Sequence, residues 1–307
     1  MRPLRADRGA CGRYQTTYVI LTPAFNEAGY IGRVAETLAR QTIRPARWVL
    51  VDDGSTDATP AVARGFAAQY DWMLYHRRDR QQGQAYFASN VHALMEGWSL
   101  ARTWTFDFLA ILDADITLPS NYYQEILTHF RNDPKLGIAS GIYENLIDGK
   151  LHKVLHDRWS TPKAIQVFRR ECFEQIGGFV PLPHGGEDTC ACVMARMRGW
   201  RTWSFPEIKV VHHRPTGTGN AKSLLRVRFN QGLAEYAMGS HPVFVLAKCL
   251  RRCLCERPYG AGGLCRLLGF GFGYCGRESR LIPDEVVRFL RREQWMRVLH
   301  LNRLPRQ

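Results

Sequence analysis

Asp113 and Asp115 close the run FLAILDADITLP (residues 108–119), where five apolar residues lead straight into two carboxylates one residue apart. A continuous apolar run bounded by a polar break and a proline reads as a strand buried on both faces. In extended chain, residues i and i+2 point the same way, so both acids look in one direction. Like charges that close repel, and the pair either gathers a cation or splays into water. Other acids stand at similar breaks: Glu27 after YVILTPAFN, Asp52 and Asp53 at the end of WVLVDD, Glu187 and Asp188 after a glycine pair. Two histidines, His212 and His213, close a later apolar run. Taken singly, each has a plain structural explanation: a solvated strand end, a helix cap, a charge against the helix dipole, a satisfied core histidine.

The elements that carry these residues alternate regularly. YVIL (18–21), WVLVDD (48–53), WMLYHR (72–77) and FLAILD (108–113) read as strands. Between them run helical stretches: EAGYIGRVAETLARQ, with Ile31, Val34 and Leu38 on one face, GSTDATPAVARGFAAQY, and AYFASNVHALMEGWSLA. Such alternation predicts βαβ crossovers and a mainly parallel sheet covered on both faces. Ligands collect at the carboxyl ends of such strands, where the acids lie. Past residue 131 the pattern loosens. LGIASGIYEN and KVLHDRW suggest strands around an IDGK turn, IQVFRRECFEQIGGF a strand and a short helix, GGEDTCACVMARMRGW a helix, and WSFPEIKVVHHR a strand. From 221 to 300 four helical segments follow.

The chain has 307 residues and a formal charge of +14, and the basicity is concentrated late. From Arg214 onward there are 17 Lys and Arg against 6 Asp and Glu; the earlier residues hold 25 against 22. Nine cysteines, an odd number without C-x-x-C spacing, suggest reduced thiols and a cytoplasmic setting in place of disulfides or zinc. The basic N-terminus lacks the apolar core of a secretory signal, and no stretch reaches the roughly 18–20 apolar residues of a spanning helix.

In order, TPAFNEA (22–28), VDDGSTDAT (51–59), LDAD (112–115), FRRECFEQIGGF (168–179), GGED (185–188) and VVHHRP (210–215) resemble the successive motifs of family 2 glycosyltransferases. The resemblance covers roughly residues 16–216 and implies the GT-A fold, an α/β fold with a mainly parallel central sheet flanked by helices. It divides the chain into an arm (1–15), a glycosyltransferase domain (16–216) and a basic, amphipathic helical extension (217–307). No Q-x-x-R-W follows GGED, which argues for transfer of single sugars over processive synthesis.

The resemblance implies an inverting, metal-dependent transfer from a nucleotide-sugar donor, UDP- or GDP-linked, to a hydroxyl acceptor. Pro23, Ala24, Glu27, Asp52, Asp53 and Gly54 would line the nucleoside pocket, with Asp53 accepting a base N–H and Glu27 a ribose hydroxyl. A departing diphosphate calls for a divalent cation. Asp115 would hold Mn²⁺ or Mg²⁺, with Asp113 shared between metal and ribose, and His212 or His213 completing the set, His212 favoured. Gly185 and Gly186 would let the backbone approach the donor. Asp188 would be the catalytic base and Glu187 an orienting carboxylate. GQAYFASN (83–90) matches a donor-side helix start imperfectly.

The segment 242–277 combines leucines and phenylalanines with six Lys and Arg. It suits either an interfacial helix pair on an anionic membrane surface or helices packed on the domain or on a second copy. A lipid-linked or envelope glycan acceptor and a peripheral place on the cytoplasmic membrane face follow from the first reading. Nucleic acid is not expected, since no reading motif is present. A nucleotidyltransferase, or a non-catalytic nucleotide-sugar-binding protein at a membrane, are the alternatives; no Gly-rich phosphate loop supports the first.

Overall fold

The computed structural model describes residues 16–81, 83–214, 223–276 and 280–299. The expected arm, 1–15, and the boundary at 216–217 lie outside the described residues. β1 (Tyr18–Ala24), β2 (Arg47–Asp52), β3 (Met73–Arg77) and β4 (Phe108–Ile111) form parallel ladders, with β1 between β2 and β4. Their residues are apolar on both faces because helices cover both. α1 (Ile31–Ala39) and α2 (Thr59–Gln69) lie on one side, with Trp48, Ile20 and Leu50 turned toward them. α3 (Tyr86–Ala101) lies on the other, over Leu21, Val49 and Val51. At Gly97 of that helix an added Cβ would meet Val51 at 3.0 Å, so the glycine sets how near helix and sheet approach.

Beyond β4 the sheet is mixed. Its order is β3-β2-β1-β4-β8-β6-β9-β5, with β7 beside β6. β5 (Ile116–Thr117), β6 (Leu136–Ile147), β7 (Lys150–Lys153), β8 (Val167–Arg169) and β9 (Arg201–His212) supply this half. β8 runs antiparallel to both β4 and β6, β9 parallel to β6, and β5 antiparallel to β9. The parallel sheet expected from the early periodicity therefore ends at β4. The strand expected over KVLHDRW is confined to Lys150–Lys153, before most of that segment; these four residues are exposed and polar apart from Leu151. α4 (Tyr122–Asn132), α5 (Arg170–Ile176) and α6 (Glu187–Met197) flank this half. Gly177, at φ +75°, ends α5 in the left-handed cap that glycine favours.

Four helices complete the chain: α7 (Leu224–Ala237), α8 (Pro242–Cys255), α9 (Ala261–Gly276) and α10 (Asp284–Leu299). α10 is tied to α6 by a two-pronged ion pair, Arg196 Nε and Nη2 to the Glu293 carboxylate at 2.7 and 2.8 Å. α7 and α9 touch backbone to backbone. A Cβ on Gly269 would fall 2.1 Å from the Phe229 carbonyl oxygen, and one on Gly232 2.0 Å from that of Arg266. No helix among the described residues is long and apolar enough to cross a membrane. Replacing Gly269 by alanine must push α7 and α9 apart. We expect Gly269→Ala to cost about 1–3 kcal/mol, read as a lower urea midpoint at unchanged slope.

Candidate active site

The turn after β1 and the turn after β2 build each other. Asn26 adopts φ +58°, and its side-chain oxygen accepts from the backbone N–H groups of Thr56 at 2.9 Å and Asp57 at 3.3 Å. In return, Ser55 Oγ accepts from Asn26 N–H and Thr59 Oγ1 from Glu27 N–H. Asp57 takes the N–H groups of Thr59 and Ala28, which lowers its pKa despite some burial. Much of the NEA and GSTDAT signature is thus a mutual capping device.

That device separates Asp52 from Asp53. Asp52 is fully buried and accepts from Ser55 N–H, the Tyr75 hydroxyl and Arg77 Nη1. It does not line the central cavity, and neither does Gly54, whose φ of +75° and closeness to Arg80 explain its type. The structure therefore places these two of the expected nucleoside residues behind the site. Pro23, Ala24, Glu27 and Asp53 do line the cavity. The Asp53 carboxylate lies 2.6 Å from Arg78 Nη1 and 2.5 Å from Ser89 Oγ. Arg80 covers the Phe25 ring at 4.0 Å, giving this end a flat cationic lid.

The acids of LDAD part company. Asp113 leaves the end of β4 with its carboxylate 2.9 Å from Lys163 Nζ, which also donates to Asn90 Oδ1 at 2.8 Å. Asp115 precedes the two-residue β5, whose pairing sets Ile116 opposite His212. That register brings His212 Nε2 to 3.2 Å from Asp115 Oδ2, while Nδ1 lies 3.2 Å from Asn145 Oδ1. His213 faces away, toward Thr117 and Arg33. Arg214 then folds over the acids: its Nε is 2.7 Å from Asp115, and its Nη2 bonds Glu27. Burial pushes the Asp115 carboxyl up, but His212 and Arg214 outweigh it and hold it well below the usual carboxylate range. Glu27 is the counter-case. Burial raises it to about 7 against the pull of Arg214, and its Oε2 is buried without a partner.

At the opening of α6, Gly185 and Gly186 adopt φ +88° and +99°, conformations that favour glycine, and deliver Glu187 and Asp188 into the first turn. Burial raises the pKa of both carboxyls; Asp188 adds to the cost at Glu187, and Lys163 opposes the shift of each. Glu187 Oε2 is a second buried carboxylate oxygen without a partner. For Lys163, burial is outweighed by Asp113 and Glu187, so its ammonium is held charged.

Glu27, Asp53, Asp113, Asp115, Lys163, Glu187, Asp188, His212 and Arg214 line one cavity of about 1420 Å³. Sequence reasoning passed over Lys163, Arg214, Arg78, Arg80 and His156. Arg214 directly follows the histidine doublet, and GQAYFASN carries Tyr86, Ser89 and Asn90 into the site, so those signals were present; Lys163 had none. Among the described residues no group of three or more His, Cys, Asp or Glu stands ready for a metal ion. Asp115 and His212 nevertheless offer one a carboxylate oxygen and an imidazole nitrogen, with Asn145 behind the ring, and the Oδ2 that His212 approaches also accepts from Arg214 Nε, which would have to yield that oxygen.

Residues 19–199, more than half of the chain, match the family described as Glycosyl transferase family 2. The chain belongs to family 2 of the glycosyltransferases. Among similar proteins of that kind, the succinoglycan biosynthesis protein ExoA of Rhizobium meliloti is 24% identical over 260 residues, 72% of this chain and 74% of that protein. The glycosyltransferase AglD of Haloferax volcanii is 26% identical over 215 residues, 61% of this chain. The match spans only 32% of AglD's own length, and 43% of the pre-mycofactocin glycosyltransferase of Mycobacterium tuberculosis, which is 28% identical. In three dimensions the mannosyltransferase PcManGT of Pyrobaculum calidifontis, solved with GDP-Man and Mn²⁺, superposes with a TM-score of 0.57 at 17% identity, covering 93% of this chain and 81% of that one. Staphylococcus aureus TarS 1–349, solved with UDP-GlcNAc, gives 0.53 at 15% identity, over 71% and 65%. The fold of this family 2 enzyme is therefore GT-A.

Lys163 is the cation nearest Asp113 and Glu187, and Asp113 is a quarter exposed. Lys163→Met should lower stability by about 2–3 kcal/mol, somewhat less than breaking a fully buried pair. Adding Asp113→Asn should recover part of it. A urea double-mutant cycle reads the coupling.

Proposed function

We propose that this enzyme transfers a sugar, with inversion, from a nucleoside-diphosphate donor to a hydroxyl of an acceptor held at a membrane surface. The observation that carries the reading is the single cavity in which Asp115–His212, the nucleoside-side residues Glu27 and Asp53, and the Asp188 carboxylate face one another. Pro23, Ala24 and Asp53 take the base, and Glu27 the ribose. PcManGT and a GalNAc transferase, GalNAc-T7, were solved with Mn²⁺, which supports a divalent ion for this chain too. Asp115 and His212 would hold it, with Asp113 beside them, and it would supply charge neutralisation for the leaving diphosphate.

Asp188 takes the proton of the attacking hydroxyl. Its raised pKa brings its basicity closer to working pH, which is what a general base requires. Glu187, buried beside it with an unpartnered oxygen, orients the acceptor or the loop. Lys163 keeps the two acids and Asp113 from repelling one another apart.

Asp188→Asn should lower turnover by about 10²–10⁴-fold while nucleotide binding with Mn²⁺, measured across UDP, GDP, dTDP and CMP, stays within twofold of the parent. A mutant with normal turnover would remove Asp188 from the role. Because the base must be deprotonated and its pKa is raised, kcat/KM should fall as pH drops through a value above the ordinary carboxylate range. That limb belongs to the Glu187–Asp188 pair jointly.

The membrane reading rests on the outer faces of α8 and α9. Val243, Leu246, Leu250 and Leu254 line one side of α8 at helical spacing, and Leu250 and Leu254 are 61% and 81% exposed. Leu264, Leu268 and Phe272 are likewise exposed on α9, as are Arg251 and Arg257 nearby in the chain. An apolar stripe rimmed by arginine complements anionic lipid. Wild-type chain should float with vesicles containing phosphatidylglycerol and not with phosphatidylcholine alone. Leu250→Glu with Leu254→Glu should stay at the bottom of the gradient. Equal flotation of both forms, or a lipid-free dimer that the double variant dissolves, would overturn the assignment.

A further inference from the structure

The cavity does not end at the strand tips. Its far wall is formed by α7, α8 and α9, and there it is lined by Arg228, Lys248, Arg252 and Arg266 together with Glu235 and Glu256. Glu256 receives Arg228 Nη1 at 2.8 Å, Arg252 Nη1 at 2.7 Å and Arg266 Nη2 at 3.5 Å. Glu235 receives Lys248 Nζ at 2.5 Å and stands 4.0 Å from Arg266 Nη1. Four cations thus face two anions. The side chains of Arg228, Arg252 and Arg266 are only 12%, 11% and 5% exposed. In all three the Nε–H is buried with no acceptor among the described residues.

Such a cluster is over-provided for a structural ion pair. Two carboxylates would satisfy two cations, and each surplus buried charge is a cost that folding would shed by mutation to an apolar residue. The strain is visible in Arg266, which burial and the neighbouring Arg252 push down to about 10, so that it is still charged at neutral pH. Gln231 Oε1 and the Arg257 carbonyl take further donors of Arg228 and Arg266 but bring no charge, so a surplus of two positive charges remains, which matches a phosphate carrying close to two negative charges at pH 7.

We propose that Arg228, Lys248, Arg252 and Arg266 form an anion subsite that binds a phosphate or diphosphate group on the acceptor, fixing its hydroxyl end toward Asp188. The reading rests on the proposed transfer reaction and names the acceptor's chemistry. Position supports it. His156, Asp188 and Arg252 line the same cavity, and the charges of both Asp188 and Arg252 act on His156. Lys248 and Arg252 also project from α8, the helix whose outer side carries the exposed Leu246, Leu250 and Leu254. A phosphate joined to an apolar tail could occupy both: the phosphate within, the tail along the lipid-facing stripe.

The test uses the full chain with Mn²⁺ and saturating nucleotide, titrated calorimetrically with farnesyl phosphate, farnesol and inorganic phosphate. Farnesyl phosphate should bind at least tenfold more tightly than farnesol and weaken as salt rises. Arg252→Gln and, separately, Arg228→Gln should each weaken it at least tenfold. Neither should change nucleotide affinity by more than twofold, and each leaves Glu256 two other arginines, so both variants should stay folded with a cooperative thermal transition. Inorganic phosphate matching farnesyl phosphate would support the subsite and assign it to a free or water-soluble phosphate; a tenfold preference for farnesyl phosphate assigns it to a lipid headgroup.

Unchanged farnesyl phosphate binding in both variants, or equal binding of farnesol, would overturn the proposal. So would loss of nucleotide binding in folded variants, which would make the cluster part of the donor site. A lower Tm with unaltered phosphate binding would show a purely structural network and also overturn it. Failure of the wild-type chain to bind any nucleotide would strike the transfer reaction instead, leaving the phosphate titration, run without nucleotide, to decide the subsite.

Discussion

Electrostatic repulsion among carboxylates is the constraint on which the rest of this structure depends. Glu27, Asp113, Asp115, Glu187 and Asp188 all line one cavity at the carboxyl end of a sheet, in surroundings that exclude much of the water. Left alone they would not all ionise. Two internal cations divide the work. Arg214 bridges Asp115 and Glu27, and Lys163 serves Asp113 while opposing the charge of Glu187. The outcome is graded: Asp115 is held firmly ionised, Glu27 and Glu187 are raised to about 7, and burial raises Asp188 above the ordinary carboxylate value. One family of side chains thereby offers an electrostatic anchor and proton acceptors within a single chamber.

The sequence made the scaffold legible where physics is local. Both-face apolar strands and amphipathic helices announced β1 to β4 and the helices between them, and the four C-terminal helices lie within the stretch 221–300 where four were expected. What was hidden is non-local. Nothing in LGIASGIYEN states that β6 pairs parallel with β9 and antiparallel with β8, because partner choice depends on packing across the sheet. The acids of the site were visible as carboxylates at strand ends, and the motif order pointed to a family. The sequence did not separate Asp52 from Asp53, since whether a carboxylate faces a cavity or a turn is decided by Tyr75 and Arg77 on the next strand. Nor did it reveal Lys163, which reaches Asp113 from a 3-10 turn fifty residues on.

The C-terminal helices obey a different logic from the catalytic half. α9 carries glycines at 262, 263, 269, 271, 273 and 276, a composition that costs about 1 kcal/mol per residue in a helix relative to alanine. Close backbone approach to α7 and α8 explains Gly263, Gly269 and Gly273, where a Cβ would collide with a neighbour. Small residues at a crossing let the helix backbones approach closely. The exposed leucines outside and the glycines inside are two aspects of one arrangement.

The pairing of β5 with β9 also carries a kinetic meaning. Asp115 and His212 are 97 residues apart in the chain, and Arg214 reaches Glu27 across 187. The nucleoside-side turns, by contrast, close over about thirty residues. Loop closure of that span is entropically costly and comes late in folding. During synthesis the first strands and their turns are complete long before the ribosome has released β9. The acidic corner must therefore wait, uncompensated by Arg214, until the strand that brings the histidine and the arginine has docked.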